Sequence, residues 1–194
     1  MKLAHLIFAT VIALTAFYIQ IDNPSKVIHL YISTLAFCFT FGIYKNEPNI
    51  YHISIILFLI AISEHLIFSY GLVNLGKNND NYLVVGTVVF GIQLLINLFA
   101  IILFIFRVQI SRLFSSSSKI ILTDFDGLFH WVFIAASFMN ILALIENALR
   151  NGLGWLSLTF FYDIYPTFGY ALIAVTCGLL LTMVIIQLKN KQLT

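Results

Sequence analysis

"YLVVGTVVFGIQLLINLFAIILFIF", residues 82–106, contains no Asp, Glu, Lys or Arg. An α-helix rises ~1.5 Å per residue, so ~20 apolar residues cross a hydrocarbon layer ~30 Å thick. The stretch reaches that length. Its apolar residues run continuously instead of alternating with polar ones, as they would in a transmembrane barrel strand. It therefore predicts a transmembrane helix, and it carries two amides, Gln93 and Asn97, inside that helix.

The rest of the chain follows the same pattern. Its 194 residues are 61% hydrophobic and only 9% charged, with a mean hydropathy of +1.00. Soluble domains are ~25% charged, and a water-facing fold of this size cannot hide so much apolar surface. The expectation is an all-α, polytopic integral membrane protein made of a single transmembrane domain, residues 1–194.

Five polar breaks divide the chain. Pro24 marks the first, in "DNPSK" (22–26), and Pro48 the second, in "KNEPN" (45–49). Proline ends or restarts a helix. "GKNNDN" (76–81), the long polar section 107–126 and "RNGLG" (150–154) complete the set. Six spans are predicted: 3–21, 27–44, 51–75, 82–106, 127–149 and 167–188. The first has no convincing cleavage site before a polar mature start, so it is expected to stay as a helix. Residues 107–114 should continue the fourth helix or lie on the membrane surface, with Arg107 and Arg112 snorkelling to headgroups. Residues 155–165 are rich in Trp and Tyr and should lie at the interface, with Pro166 in the first turn of the last span.

Orientation follows the positive charges. With six spans, Lys2, Lys45, Arg107, Arg112, Lys119, Lys189 and Lys191 share one side, whereas Lys26, Lys77 and Arg150 share the other. Positive residues favour the cytoplasm. Both termini and the 107–126 loop are therefore expected there. Short loops and an Ile/Asn/Lys-rich composition point to a bacterial inner (cytoplasmic) membrane.

Several function classes are disfavoured. The net charge is +2 with no basic block, so no nucleic-acid partner is expected. Cys38 and Cys177 lie within spans and read as small apolar residues. No HExxH or Gly-x-Ser-x-Gly motif is present, so neither catalytic residues nor a cofactor are assigned. His5, His52 and His130 fall near the same ends of their spans, but interfacial histidines are ordinary and no metal site is assigned.

Polar and small residues form stripes at helical spacing. They are His29, Ser33, Ala36 and Thr40 in span two, and Gly86, Gln93, Asn97 and Ala100 in span four. Span five carries Ala136, Asn140, Ala143, Asn147 and Arg150; span six carries Tyr170, Ala174 and Cys177, with Gly178 adjacent. Such stripes commonly serve helix packing. Here, however, Glu64, His65, Gln93, Asn97 and Asn140 all fall near mid-membrane depth. Glu64 sits where a charge costs ~2.5–3.5 kcal/mol, so a neutral acid is the expected resting state. Neighbours on a helix point ~100° apart, so Glu64 and His65 must find partners on other helices, Gln93 and Asn97 first. Glu146 and Arg150, four apart, are expected to form an ion pair at the membrane edge. Asp124 and Asp126 suit the start of span five, and Asp163 a cap or turn before Pro166.

These features suggest a homo-oligomeric transporter or channel for a small solute, ion or lipid, with the five mid-depth residues lining its path. The alternative is a non-transporting membrane component that binds lipid or a partner and supports envelope integrity. Membrane lipids are partners in either case.

Overall fold

The computed structural model describes residues 3–18, 23–69 and 81–190. They form seven α-helices: α1 (Leu3–Tyr18), α2 (Pro24–Tyr44), α3 (Pro48–Ser69), α4 (Tyr82–Ile105), α5 (Arg107–Phe114), α6 (Asp124–Asn147) and α7 (Phe160–Asn190). A π turn, Ala148–Gly152, extends α6. The stretches Ser25–Tyr44, Pro48–Phe68, Tyr82–Ile105, Asp124–Gly152 and Phe160–Lys189 are long and apolar enough to cross a membrane. The chain is a multi-pass helical membrane protein. The described part of α1 has 16 residues.

Local chemistry sets the helix starts. Pro24 and Pro48 each open a helix, where the missing N–H is not needed. Asn23 and Asn81 accept backbone N–H groups at the starts of α2 and α4. Asp126 bonds back to the Thr123 N–H and hydroxyl, forming a capping box before α6.

Consecutive long helices alternate in direction, so the bundle has two ends. One carries α5, the α2–α3 turn and the start of α6. The other carries the start of α2, the end of α3 and the start of α7. α4 lies along α6, α1 lies along α7, and α2 touches both α3 and α7. Gly178 lets α1 approach: a Cβ there would stand 2.8 Å from Thr10 Cα. The contact of α3 with α4 is slight. Leu35, Leu57, Phe104, Phe129, Leu180 and Met183 belong to one buried cluster that fills the α5 half of the bundle.

Four expectations need correction. The last helix starts at Phe160, not near residue 167, so Pro166 lies inside it and half of the interfacial segment is helical. Of the two expectations for residues 107–114, continuation of the fourth helix fails, because α4 ends at its cap Phe106 and α5 is a separate helix. The α2 stripe His29, Ser33, Ala36, Thr40 is exposed rather than packed. The Thr40 hydroxyl bonds to the Ala36 and Phe37 carbonyls, so its polarity is satisfied within its own helix. Finally, Arg107 does not snorkel; its side chain is fully buried. The predicted ends of spans one and three (19–21 and 70–75) lie outside the described residues, as do the side chains of Lys2 and His5.

Candidate functional site

Glu64, His65, Gln93, Asn97 and Asn140 line one cavity of about 670 Å³ enclosed by α2, α3, α4, α6 and α7. It exists because α4 leans away from α3. Gly86 of α4 packs directly on Asn147, with 2.4 Å from a built Cβ to its Oδ1. Phe90 packs edge-on against Tyr162 and Tyr165, with ring centroids 5.3 and 5.1 Å away. Held to α6 and α7 in this way, α4 meets α3 through Gln93, whose Nε2 donates to Glu64 Oε1 at 3.0 Å. The partner expected for Glu64 is therefore present, although the two helices are not closely packed.

The other members differ in how far their polar groups are satisfied. Asn140 donates to the Ala136 carbonyl at 3.0 Å and accepts from the Tyr165 hydroxyl at 2.7 Å. Asn97 is only 4% exposed, lines the cavity and makes no hydrogen bond with any described residue. Glu64 Oε2 likewise has no hydrogen-bond partner among the described residues. A buried amide without a partner is costly unless water or a ligand completes it. His65 is exposed at the cavity rim.

Apolar side chains make most of the wall, with Phe58, Phe133 and Phe168 among them. Towards α5 the cavity ends on the buried cluster around Phe104 and Phe129, whose rings stack at 5.3 Å. Towards the other end, the lining side chains His29, Ile62, His65 and Phe68 are exposed, so the cavity opens there.

Tyr165 was expected in the interfacial belt. Its place in the cavity wall follows from the early start of α7, and that start comes from Glu146. The Glu146 carboxylate accepts the backbone N–H groups of Phe161 and Tyr162 at 2.8 and 3.0 Å, capping α7 from a different helix. This corrects the expected Glu146–Arg150 ion pair. The π turn that starts at Ala148 breaks the α-helical register on which i, i+4 pairing depends. Arg150 instead stacks over the Tyr162 ring, 5.4 Å from its centroid. Asn147 is fully buried beside them and bonded to the Leu83 carbonyl, Thr87, Asn151 and Tyr162. Asp163 lies in the first turn of α7.

A second polar centre, at the α5 end, was missed. Arg107 donates to both oxygens of Asp126 at 2.6 and 2.5 Å, to Asn49 Oδ1 at 2.8 Å and to the Ile121 carbonyl at 2.6 Å. Lys119 lies 3.6 Å from Glu47, which also accepts from Gln187. These bonds tie α3, α5, α6, α7 and the 115–123 loop together. The described histidines His52 and His130 belong to no group of three potential metal ligands among the described residues. Cys38 and Cys177 are buried free thiols.

Comparison with known protein families, with curated proteins and with solved structures gives no match for this chain.

Proposed function

We propose that this protein is a small inner-membrane carrier for a small solute, ion or lipid, and that the cavity around Glu64 is its substrate site. The observation that carries the reading is the Asn97 amide, without a hydrogen-bond partner among the described residues, in the same cavity as Glu64. Pockets of ~300–1,000 Å³ with mostly apolar walls and a few convergent polar groups suit small-molecule binding. The buried cluster on the α5 side fits alternating exposure better than a permanently open channel. Protonation of Glu64 changes whether cargo is favoured in the pocket.

In this reading α1 is a sixth crossing and both termini are cytoplasmic. The α5 end carries Lys45, Arg107, Arg112, Lys119 and Lys189, so the pocket faces the opposite, non-cytoplasmic side. The exposed α2 residues Ser33, Ala36 and Thr40 serve a homo-oligomer interface. The second reading is a non-transporting component that binds lipid or a partner and supports envelope integrity. The mostly apolar pocket wall favours it.

Uptake into liposomes separates the two. Ions and small solutes are screened at several pH values with wild type and Glu64→Gln, which keeps the shape and hydrogen bonding of a neutral acid. The carrier reading expects pH-dependent uptake that Glu64→Gln reduces by about tenfold or more. No uptake by wild type of any solute at any pH would remove the carrier reading and leave the non-transporting component.

A further inference from the structure

We propose that the cavity takes a lipophilic cation: one positive charge, shielded or delocalised, on an aromatic or branched apolar body. This rests on the cavity being the substrate site described above and names the chemistry of its occupant.

Charge complementarity gives the sign. Glu64 is the acidic side chain in the cavity wall, and no Lys or Arg lines it among the described residues. The buried guanidinium of Arg107 is committed to Asp126 at the α5 end. An anionic headgroup would meet a carboxyl with no counter-charge, whereas a cation would complete it. Glu64 Oε2 and the Asn97 amide have no hydrogen-bond partners among the described residues, so acceptor oxygens are available where the charge would sit. The walls give the rest of the class. Phe58, Phe133 and Phe168 line the cavity, and aromatic rings attract a cation, most strongly when it has shed its water. A metal cation wants six or more oxygen ligands, and a wall this apolar does not supply them. A body of drug-like size fits about 670 Å³.

Binding is an exchange. The empty site holds Glu64 as the neutral acid. The cation enters, the Glu64 O–H bond breaks, the electron pair stays on the carboxylate and the proton leaves to water through the mouth. One proton goes out for each cation taken in. The groups facing Glu64 are His29 and Tyr31 from α2, His65 from α3 and Tyr165 from α7; α4 and α6 present only the amides Gln93, Asn97 and Asn140.

Tetraphenylphosphonium and tetraphenylborate have the same shape and opposite charge. Equilibrium dialysis of each against the purified protein in detergent, from mildly acidic to mildly alkaline pH, tests the inference. Expected is phosphonium binding at least about tenfold tighter than borate. Affinity should rise up to ~tenfold per pH unit while Glu64 exchanges its proton, with close to one proton released per cation in weak buffer. Glu64→Gln should lose about tenfold or more in phosphonium affinity and most of the pH slope, and Glu64→Asp should keep the slope. Equal binding of the two ions overturns the proposal. So does phosphonium binding that is unchanged in a Glu64→Gln protein eluting like wild type. Should Glu64→Gln not fold, the wild-type ion comparison and the proton count still decide. Phosphonium binding without uptake into liposomes upholds the ligand class and removes transport. Glu64-dependent uptake of another solute, with neither ion bound, removes the ligand class and leaves transport standing.

Discussion

Arg107 holds a full positive charge out of solvent, and four hydrogen bonds from its guanidinium compensate for that burial. Removing one member of such a pair leaves the other buried and unpaired, which destabilises by about 3–5 kcal/mol. Arg107→Met and Asp126→Leu should each lower stability by that amount, read as a drop in thermal unfolding temperature in detergent. The double variant should recover much of the loss, because two apolar side chains need no counter-charge. If the double variant is as unstable as the sum of the singles, the pair is not the source of the effect. Reading from sequence worked differently at the two polar centres. Glu64, Gln93 and Asn97 stand out because each interrupts an otherwise uncharged span. Arg107 follows an apolar helix, where snorkelling is the ordinary outcome. Its partners, Asn49 and Asp126, lie 58 and 19 residues away in the chain. No local pattern links them.

At the scale of the element, α7 shows how one helix sets the boundary of another. The first N–H groups of a helix have no partner within it, and Glu146 supplies one for Phe161 and Tyr162. Losing a side-chain cap costs about 0.5–2 kcal/mol. Glu146→Ala should fray the start of α7. Hydrogen exchange at the amides of residues 161 and 162 should speed up, with little change near residue 180. Equal acceleration along the whole helix would point to global unfolding instead. A gradient should also appear in the cavity: as the first turns loosen, the Tyr165 hydroxyl loses its grip on Asn140. The helices themselves were legible from hydropathy and proline, since Pro24 and Pro48 start α2 and α3. The start of α7 was not, because Pro166 looked like a first-turn residue and the true cap is on α6. Gly178 gives a second check. Leu there would collide with Thr10 and lift α1 from α7. The variant should expose the N-terminal helix to added protease while leaving the other helices protected; unchanged protection would mean that α1 tolerates the added side chain.

The whole molecule is two halves of different character. The α5 half is a continuous apolar core tied at its rim by Arg107, Asp126, Asn49, Glu47 and Gln187. The other half holds the pocket, because α4 leans on α6 and α7 through Gly86, Phe90 and Asn147. A carrier built this way would have a firm gate on the α5 side and an open mouth on the other. Hydropathy shows which stretches are long and apolar enough to cross a membrane and which polar residues interrupt them. It does not report which way helices lean, and so the pocket was foreseen as a set of residues but not as a shape. Site-directed labelling reads the shape and the orientation together. In a background with Cys38→Ala and Cys177→Ala, both buried positions, single cysteines replace Phe68 at the mouth and Leu180 in the core. A membrane-impermeant maleimide added outside whole spheroplasts should label Phe68→Cys readily and Leu180→Cys at least about tenfold more slowly, in line with the gap in local opening free energy between rim and core. Tetraphenylphosphonium should slow labelling at Phe68→Cys by covering the mouth. Labelling of Phe68→Cys only in inverted vesicles would reverse the membrane orientation drawn from Lys and Arg. Equal labelling of both positions would mean that water reaches the α5 half, and the gate argument would fail.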